Sequence, residues 1–234
     1  MNLNESRFFN LNDEKNDVFF FKLNPSWWSR FYEYAWASKF INSDDISLDA
    51  ASGISHPFKF YLLDRCKETH ALDCDPRILK EEKIKEDIIN DFGKEAVLKM
   101  EDKYFKTINY TKATLTKMPY EDKKFDKIYC LSVLEHLNDW QGKLSRLNQF
   151  PWLKKFKFDK FRQTLKEFRR VLKDNGLIIL TFDYPTIDLN HFKKIVAELG
   201  LKFVDNVDFT IPQNAVYSKE NKLFCFRAVL IKNN

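Results

Sequence analysis

The stretch "LDAASGIS" (Leu48–Ser55) and the later acid Asp73 have the small residues, the carboxylate and the separation of a ligand-binding turn. A tight turn from strand to helix aims main-chain N–H groups and a helix N-terminus at a ligand, the usual start of a nucleotide-like site. Ala51, Gly53 and Ser55 occupy the places where three glycines would suit such a turn. The middle position must be smallest, because there the ligand lies on the backbone, and it is Gly53. Ala51 and Ser55 add bulk that a nucleoside tolerates, but a pyrophosphate needing several converging amides does not. Asp73 lies twenty residues beyond Gly53, where a strand-end carboxylate can accept both ribose hydroxyls. Taken alone, the turn is equally consistent with a cofactor loop and with a structural turn.

The elements that would position these residues alternate in type. "ISLDA" (46–50) reads as a strand and "HPFKFYLLDRC" as a helix beginning near Pro57. "ETHALDCD" reads as a second strand, and "PRILKEEKIKEDIINDFG" as a helix from Pro76 to Gly93. "YFKTINYTKA" is a candidate third strand and "KFDKIYCLSV" a buried fourth. "FRQTLKEFRRVLKDNG" has the apolar spacing of an amphipathic helix that stops at Asn175-Gly176. "LIILTFDY" is the most apolar strand, "NHFKKIVAELG" repeats the helix-then-glycine pattern, and "LKFVDNVDF" and "KLFCFRAVLIK" close the chain as strands. Strands separated by helices predict a parallel α/β sheet with right-handed crossovers, and the last two strands predict an antiparallel edge hairpin. Two stretches stand outside this core: residues 1–44, with "PSWWSRFYEYAWASKF", and the aromatic-basic insertion "NDWQGKLSRLNQFPWLKKFKFDKFRQ" at 138–163.

Composition bounds the rest. The 234 residues predict one domain, and 44% hydrophobic with 31% charged residues is the balance of a globular protein. No apolar run approaches the ~18–20 residues that cross a bilayer. The N-terminus has no basic region followed by an apolar stretch, so no secretory signal is read. Cys66, Cys74, Cys130 and Cys225 form no Cys-x-x-Cys, which predicts free thiols in a reducing cytoplasm and no zinc site. A net charge of +5 fits an anionic small substrate but is too mild to argue for nucleic acid.

The later motifs decide between the two readings of the turn. "ATLTKMPYEDKKFDKIYCLSVLEHL" (113–137), followed by "LKEFRRVLKDNGLIILTFDYP" (165–185), resembles the class I S-adenosylmethionine-dependent methyltransferases of the small-molecule, type 11 group. Met118-Pro119, Phe125-Asp126, Glu135-His136 and Arg170–Gly176 follow that group's order, and the resemblance runs from about Ile46 to Tyr184. It implies a Rossmann-like, doubly wound, mostly parallel seven-stranded sheet and S-adenosylmethionine as cofactor, which carries no pyrophosphate. By position, Asp49, Ala51 and Gly53 would line the methionine end, and Asp73 would take the ribose with Cys74 beside the adenine. Thr114 and Leu115 would edge the adenine, although the group often has an acid where Thr114 stands. Leu131 would offer backbone to the methionine amino group. "WWSRFYEYAWA" resembles the aromatic segment that folds over the cofactor, so that Arg30 would meet the methionine carboxylate and Tyr34 and Trp36 would wall the pocket, or the same aromatics would pack into the core.

Methyl transfer is an in-line displacement that disperses the sulfonium charge, so alignment and an apolar, aromatic-lined pocket supply most of the effect. A hydroxyl acceptor also benefits from a base. His136, after the fourth strand, is the candidate base or else a helix cap, and Asp183 and Tyr184 at the end of the fifth would hold the acceptor. His191 is a further candidate with an equal claim as a cap. Glu135 is read as packing or pairing, and Ser132 stands where a third metal ligand would be needed, so no metal is expected. The 138–163 insertion is either a solvated helix or a lid bringing cations to an anionic, phosphorylated or sugar-linked acceptor. The expected activity is O-methylation of a small molecule in bacterial surface-polysaccharide or natural-product synthesis. The alternatives are a nucleic-acid methyltransferase, against which Leu131-Ser132-Val133-Leu134 replaces the Asn/Asp-Pro-Pro-aromatic run of base-amino enzymes, and a cofactor-free scaffold.

Overall fold

A computed structural model describes residues 2–138 and 160–233. The short strands β1 (Arg7–Phe8), β2 (Val18–Phe19) and β3 (Phe21–Lys22) precede helix α1 (Arg30–Ala37). Then come β4 (Ile46–Ala50), α2 (Phe58–Leu63), β5 (Glu68–Asp73), α3 (Glu81–Phe92), α4 (Lys94–Leu98), α5 (Lys103–Lys106), β6 (Asn109–Lys112) and β7 (Phe125–Leu131). Helix α6 (Lys160–Val171), β8 (Leu172–Tyr184), α7 (Leu189–Glu198), β9 (Leu201–Phe203), β10 (Tyr217–Ser218) and β11 (Leu223–Lys232) follow. The main sheet runs β1-β11-β8-β7-β4-β5-β6, with β9 and β10 also paired to β11. Strands β6, β5, β4, β7 and β8 are parallel, whereas β11 is antiparallel to β8 and β9 antiparallel to β11. This is the expected doubly wound, mostly parallel sheet with an antiparallel edge.

Both faces of the sheet are buried, so the period-two alternation of its strands divides apolar residues between two cores rather than between core and water. Ile128 and Cys130 of β7, Ile178, Leu180 and Phe182 of β8, and Phe226 and Ala228 of β11 enter one core. Their neighbours Tyr129, Leu131, Ile179, Cys225 and Val229 enter the other. Helix α6 covers the first face with Phe161, Leu165, Phe168 and Val171, spaced as one helical stripe. Each such side chain contributes about 1.5–3 kcal/mol of burial.

Several boundaries differ from those expected. Helix α6 ends at Val171, not at Asn175-Gly176. Its successor β8 pairs Leu172 with Phe125 and then Leu177 with Lys127, so Lys173–Gly176 bulge out of the ladder. The segment read as a third strand from Tyr104 is helical over Lys103–Lys106, and only Asn109–Lys112 pairs. "LKFVDNVDF" supplies a strand over Leu201–Phe203 alone. Residues 2–44 join the core rather than standing outside it: Phe8 pairs with Phe226 on β11, and Asp13 holds both Arg7 and Arg227. Of the insertion, residues 139–159 lie outside the described residues, and 160–163 open helix α6.

Gly176 sits against β7. A Cβ there would lie 2.8 Å from the main-chain oxygen of Asp126 and 2.7 Å from a Leu172 methyl carbon. Gly176→Ala should therefore destabilise the fold by about 1–3 kcal/mol through overpacking. Urea unfolding of the two proteins measures this, and equal midpoints would contradict the close approach.

Candidate active site

Strand β4 ends at Ala50, and the chain turns at once through Ala51 (φ 58°) and Gly53 (φ 63°), both left-handed. For alanine that conformation costs about 1–2 kcal/mol, so something must hold it. Three sets of bonds do. The Ser52 N–H donates to Leu72 O at 3.0 Å, and the Gly53 N–H donates to Asp73 Oδ2 at 2.9 Å, tying the turn to the end of β5. Lys59, fully buried on α2, donates to the carbonyls of His56 at 2.7 Å, Gly53 at 3.0 Å and Ser52 at 3.4 Å. Helical side chains lean toward the N-terminus, which is why a lysine in the first turn of α2 reaches back under the preceding loop.

The reason Gly53 must be glycine differs from the one expected. A Cβ there would meet the His56 ring, 2.9 Å from Nδ1, before any ligand. The His56 ring lies edge-on to Trp27 at 4.6 Å. Burial, together with the Arg30 and Lys59 charges, lowers its pKa to about 3, so the imidazole is neutral.

Asp73 is held by the Gly53 N–H on one oxygen and by the Asp75 N–H at 2.9 Å on the other. Each oxygen keeps lone-pair capacity, so the carboxylate is oriented but not used up. The Ala113 N–H donates to Asp73 O at 2.9 Å, bringing the loop with exposed Thr114 and buried Leu115 to the same edge as exposed Cys74. Asp49, at the end of β4, is buried with Oδ2 unpartnered among the described residues. Its carboxyl is pushed up, first by burial and then by Asp73, against the pull of Lys59 and Arg30.

Beside the turn lies a cavity of about 140 Å³ lined by Trp27, Trp28, Ser29, Arg30, His56, Ser132, Glu135, His136 and Asp183. Arg30 donates to both carboxylate oxygens of Glu33, at 2.8 and 2.9 Å. Glu33 is completely buried, and it also accepts the Ser132 hydroxyl at 2.8 Å and the Thr181 hydroxyl. Burial pushes its carboxyl up, but Arg30 and the hydroxyls outweigh that and hold it below the ordinary value. Glu135, by contrast, accepts the Asp183 N–H, at 3.3 Å on Oε1. Burial first and Asp183 second raise its pKa to about 8, and its Oε2 is unpartnered among the described residues. Asp183, raised by burial and by Glu33 against Arg30 and His136, reaches about 6 with Oδ1 likewise unpartnered.

The structure thus brings Arg30, His136 and Asp183 together as expected and leaves other candidates out. Tyr184 does not line the cavity, because its ring packs edge-on to Phe8 at 5.4 Å. Tyr34 and Trp36 do not wall it either: they are buried in the core with Phe9, Phe19 and Phe58, and Trp27 and Trp28 supply the aromatic wall. His191 is exposed, and its N–H is capped by Asp188. Glu33, Lys59 and His56 were missed. Lys59 did carry a signal, since a cation in the first turn of a helix opposes the helix dipole and needs a reason to be there. Among the described residues no group of three His, Cys, Asp or Glu could hold a metal ion.

Comparison with known proteins bears on the fold that carries these residues. Residues 48–150 match the family model of the methyltransferase domain. Comparison with curated proteins finds no match. Among solved structures, the [4+2]-cyclase SpnF superposes with a TM-score of 0.56 at 12% identity, over 97% of this chain and 86% of that one. A protein from Listeria monocytogenes assigned as an S-adenosylmethionine-dependent methyltransferase gives 0.54 at 11% identity, over 86% and 98%. A protein from Bacillus halodurans C-125 assigned as a methyltransferase gives 0.51 at 14%, over 85% and 95%. At such identities the likeness is one of fold, and a cyclase among the neighbours shows that the fold alone does not set the chemistry. The matched domain and the fold support a class I S-adenosylmethionine-dependent methyltransferase, with S-adenosylmethionine as its cofactor. The residues fit it: Asp73 has capacity for two hydroxyls, and the unpartnered Asp49 oxygen is an acceptor waiting for a donor such as an ammonium.

Glu135 gives a pH test of this electrostatic picture. A glutamate carboxyl ordinarily titrates at 4.5, so between there and about 8 the folded protein holds one proton more than the unfolded chain. Stability contributed by this site therefore falls as pH rises through that window. Glu135→Gln should match wild type near pH 4 and exceed it by up to a few kcal/mol near pH 9. Urea titrations at the two pH values measure the difference, and a pH-independent difference would contradict the raised pKa.

Proposed function

We propose that the protein methylates a nucleophilic oxygen or nitrogen of a small molecule seated in the Trp27–Asp183 cavity. In this reading Asp73 binds the ribose hydroxyls, Asp49 the methionine ammonium and Arg30 the methionine carboxylate. The turn at Ala51 and Gly53 and the end of β7 at Leu131 line the methionine end, while Cys74, Thr114 and Leu115 lie along the adenine edge. S-adenosylmethionine supplies a methyl group on a sulfonium, which leaves as a neutral thioether. The protein's part is to orient the acceptor, exclude water and take up its proton.

One observation carries this reading: two carboxyl groups, each with one oxygen unpartnered among the described residues, line one cavity with pKa values driven apart, to about 6 for Asp183 and about 8 for Glu135. Near neutral pH the first is ionised and can accept a proton, while the second is protonated and can donate a hydrogen bond. Asp183 is thus the base, Glu135 orients the acceptor, and His136 beside them favours the ionised Asp183. Trp27 and Trp28 form the dry wall that a charge-dispersing step favours. A sugar or sugar-linked hydroxyl, as in bacterial surface-polysaccharide or natural-product synthesis, suits this pair. Glu33 already neutralises Arg30, so the reacting end of the acceptor is uncharged or cationic, and a phosphate on it would lie away from the two acids.

Calorimetry with S-adenosylhomocysteine tests the cofactor half. A carboxylate bonded to two hydroxyls contributes ~1.5–3 kcal/mol, so Asp73→Ala should weaken binding at least about tenfold without unfolding the protein. Unchanged affinity would refute the assignment. For the chemical half, turnover with hydroxyl- and amine-bearing acceptors should fall on acidification below about pH 6, as Asp183 gains its proton. Asp183→Asn should lower kcat about 10²–10⁴-fold and abolish that acid limb. An unchanged pH profile in the variant would remove Asp183 from the role of base.

A further inference from the structure

We propose that Lys59 is the positioning residue of the cofactor turn, its ammonium doing for this sequence what glycines at positions 51 and 55 would otherwise do. The proposal rests on the cofactor reading above and goes beyond it, because Lys59 is not offered as a ligand of the cofactor.

The geometry is specific. Three main-chain carbonyls, those of Ser52, Gly53 and His56, converge on one fully buried Nζ. Carbonyls only accept, so three of them require three N–H bonds, and a lysine has three only as an ammonium. With the carbonyls drawn inward, the turn is held in the left-handed shape at Ala51 that alanine does not adopt by preference. The same charge lies among carboxylates from every element around it: Asp49 on β4, Asp73 at the end of β5 and Asp87 on α3. Burial and the Asp73 charge push the Asp49 carboxyl up to about 7, and Lys59 is the first of the cations that pull it back toward its ionised form. Arg30 of α1 acts on Asp49 in the same direction, while His56, neutral, adds no charge. Lys59 therefore does two things at once: it fixes the backbone on which the cofactor lies, and it favours the ionised form of Asp49.

A lysine that only stabilised the fold would predict a loss of affinity independent of pH and indifferent to residue 51. Positioning predicts otherwise. Calorimetry would measure the Kd of S-adenosylhomocysteine for wild type, Lys59→Met and the double variant Lys59→Met/Ala51→Gly between about pH 6 and about pH 9. Loss of charge-assisted bonds should weaken binding about tenfold or more at neutral pH. The loss should deepen as pH falls, because burial lowers the Lys59 pKa to about 8, so the wild type carries the full ammonium only in the lower part of that range, and because Asp49 without its counter-ion takes up a proton more readily there. Glycine at 51 should recover part of the affinity, because it adopts the left-handed turn unaided. If Lys59→Met does not fold, as thermal melting would show, Lys59→Gln keeps a shorter donor without the charge and serves for the same comparison. Wild type that binds no S-adenosylhomocysteine would overturn the cofactor reading and this proposal with it. Wild-type binding with an unaltered Kd in the lysine variant, or an equal loss at every pH with no recovery by glycine, would overturn this proposal alone.

Discussion

Four carboxyl groups, those of Glu33, Asp49, Glu135 and Asp183, are withdrawn from water at the C-terminal ends of the parallel strands, and the site is the consequence of how each is answered. Removing a carboxylate from water costs several kcal/mol unless a cation, hydrogen bonds or a proton compensates. Glu33 receives all it needs from Arg30, Ser132 and Thr181, and stays ionised. Asp49 receives Lys59 but keeps one oxygen unpartnered. Glu135 is answered by a proton. Asp183, half-buried, is left to titrate near neutrality within reach of the cavity.

The fold makes this gradient possible. Parallel strands end together on one edge, so Asp49, Asp73, Ser132 and Asp183 arrive there from four different strands without further arrangement. What the strands cannot provide is a roof and a counter-charge, and the N-terminal segment provides both. Helix α1 is fixed by the buried Glu33 to the ends of β7 and β8, which sets Arg30 and the preceding Trp27 and Trp28 against the cavity. The first 44 residues are thus bound into the site by one buried ion pair and into the sheet by β1.

Much of this was legible in the sequence, and what was not has physical reasons. The strands carrying Asp49, Asp73, Leu131 and Asp183 were readable because buried parallel strands are short apolar runs bounded by turns. His136 and Asp183 were placed at one rim by topology, and Arg30 by the resemblance of its segment to one that folds over the cofactor. The end of α6 was misplaced because Asn175-Gly176 looks like a helix stop, whereas the chain leaves the helix at Val171 and spends those residues on a bulge. Tyr34 and Trp36 were left between pocket and core because an aromatic run does not reveal which of its members faces which side, and they lie in the core. Lys59 and Glu33 escaped notice because a buried ion's partners lie far apart in sequence: Glu33 meets Ser132 and Thr181 across 99 and 148 residues.

A turn with alanine and serine in glycine positions should still cradle S-adenosylmethionine, oriented by acids on adjacent strands. A crystal structure of the complex with S-adenosylhomocysteine is the decisive measurement. Both ribose hydroxyls should lie on the two oxygens of Asp73, the ammonium group at Asp49 Oδ2, and the sulfur should be turned toward the cavity between Trp27 and Asp183. A ligand bound elsewhere, or one whose ribose leaves the Asp73 carboxylate without a contact, would contradict this placement.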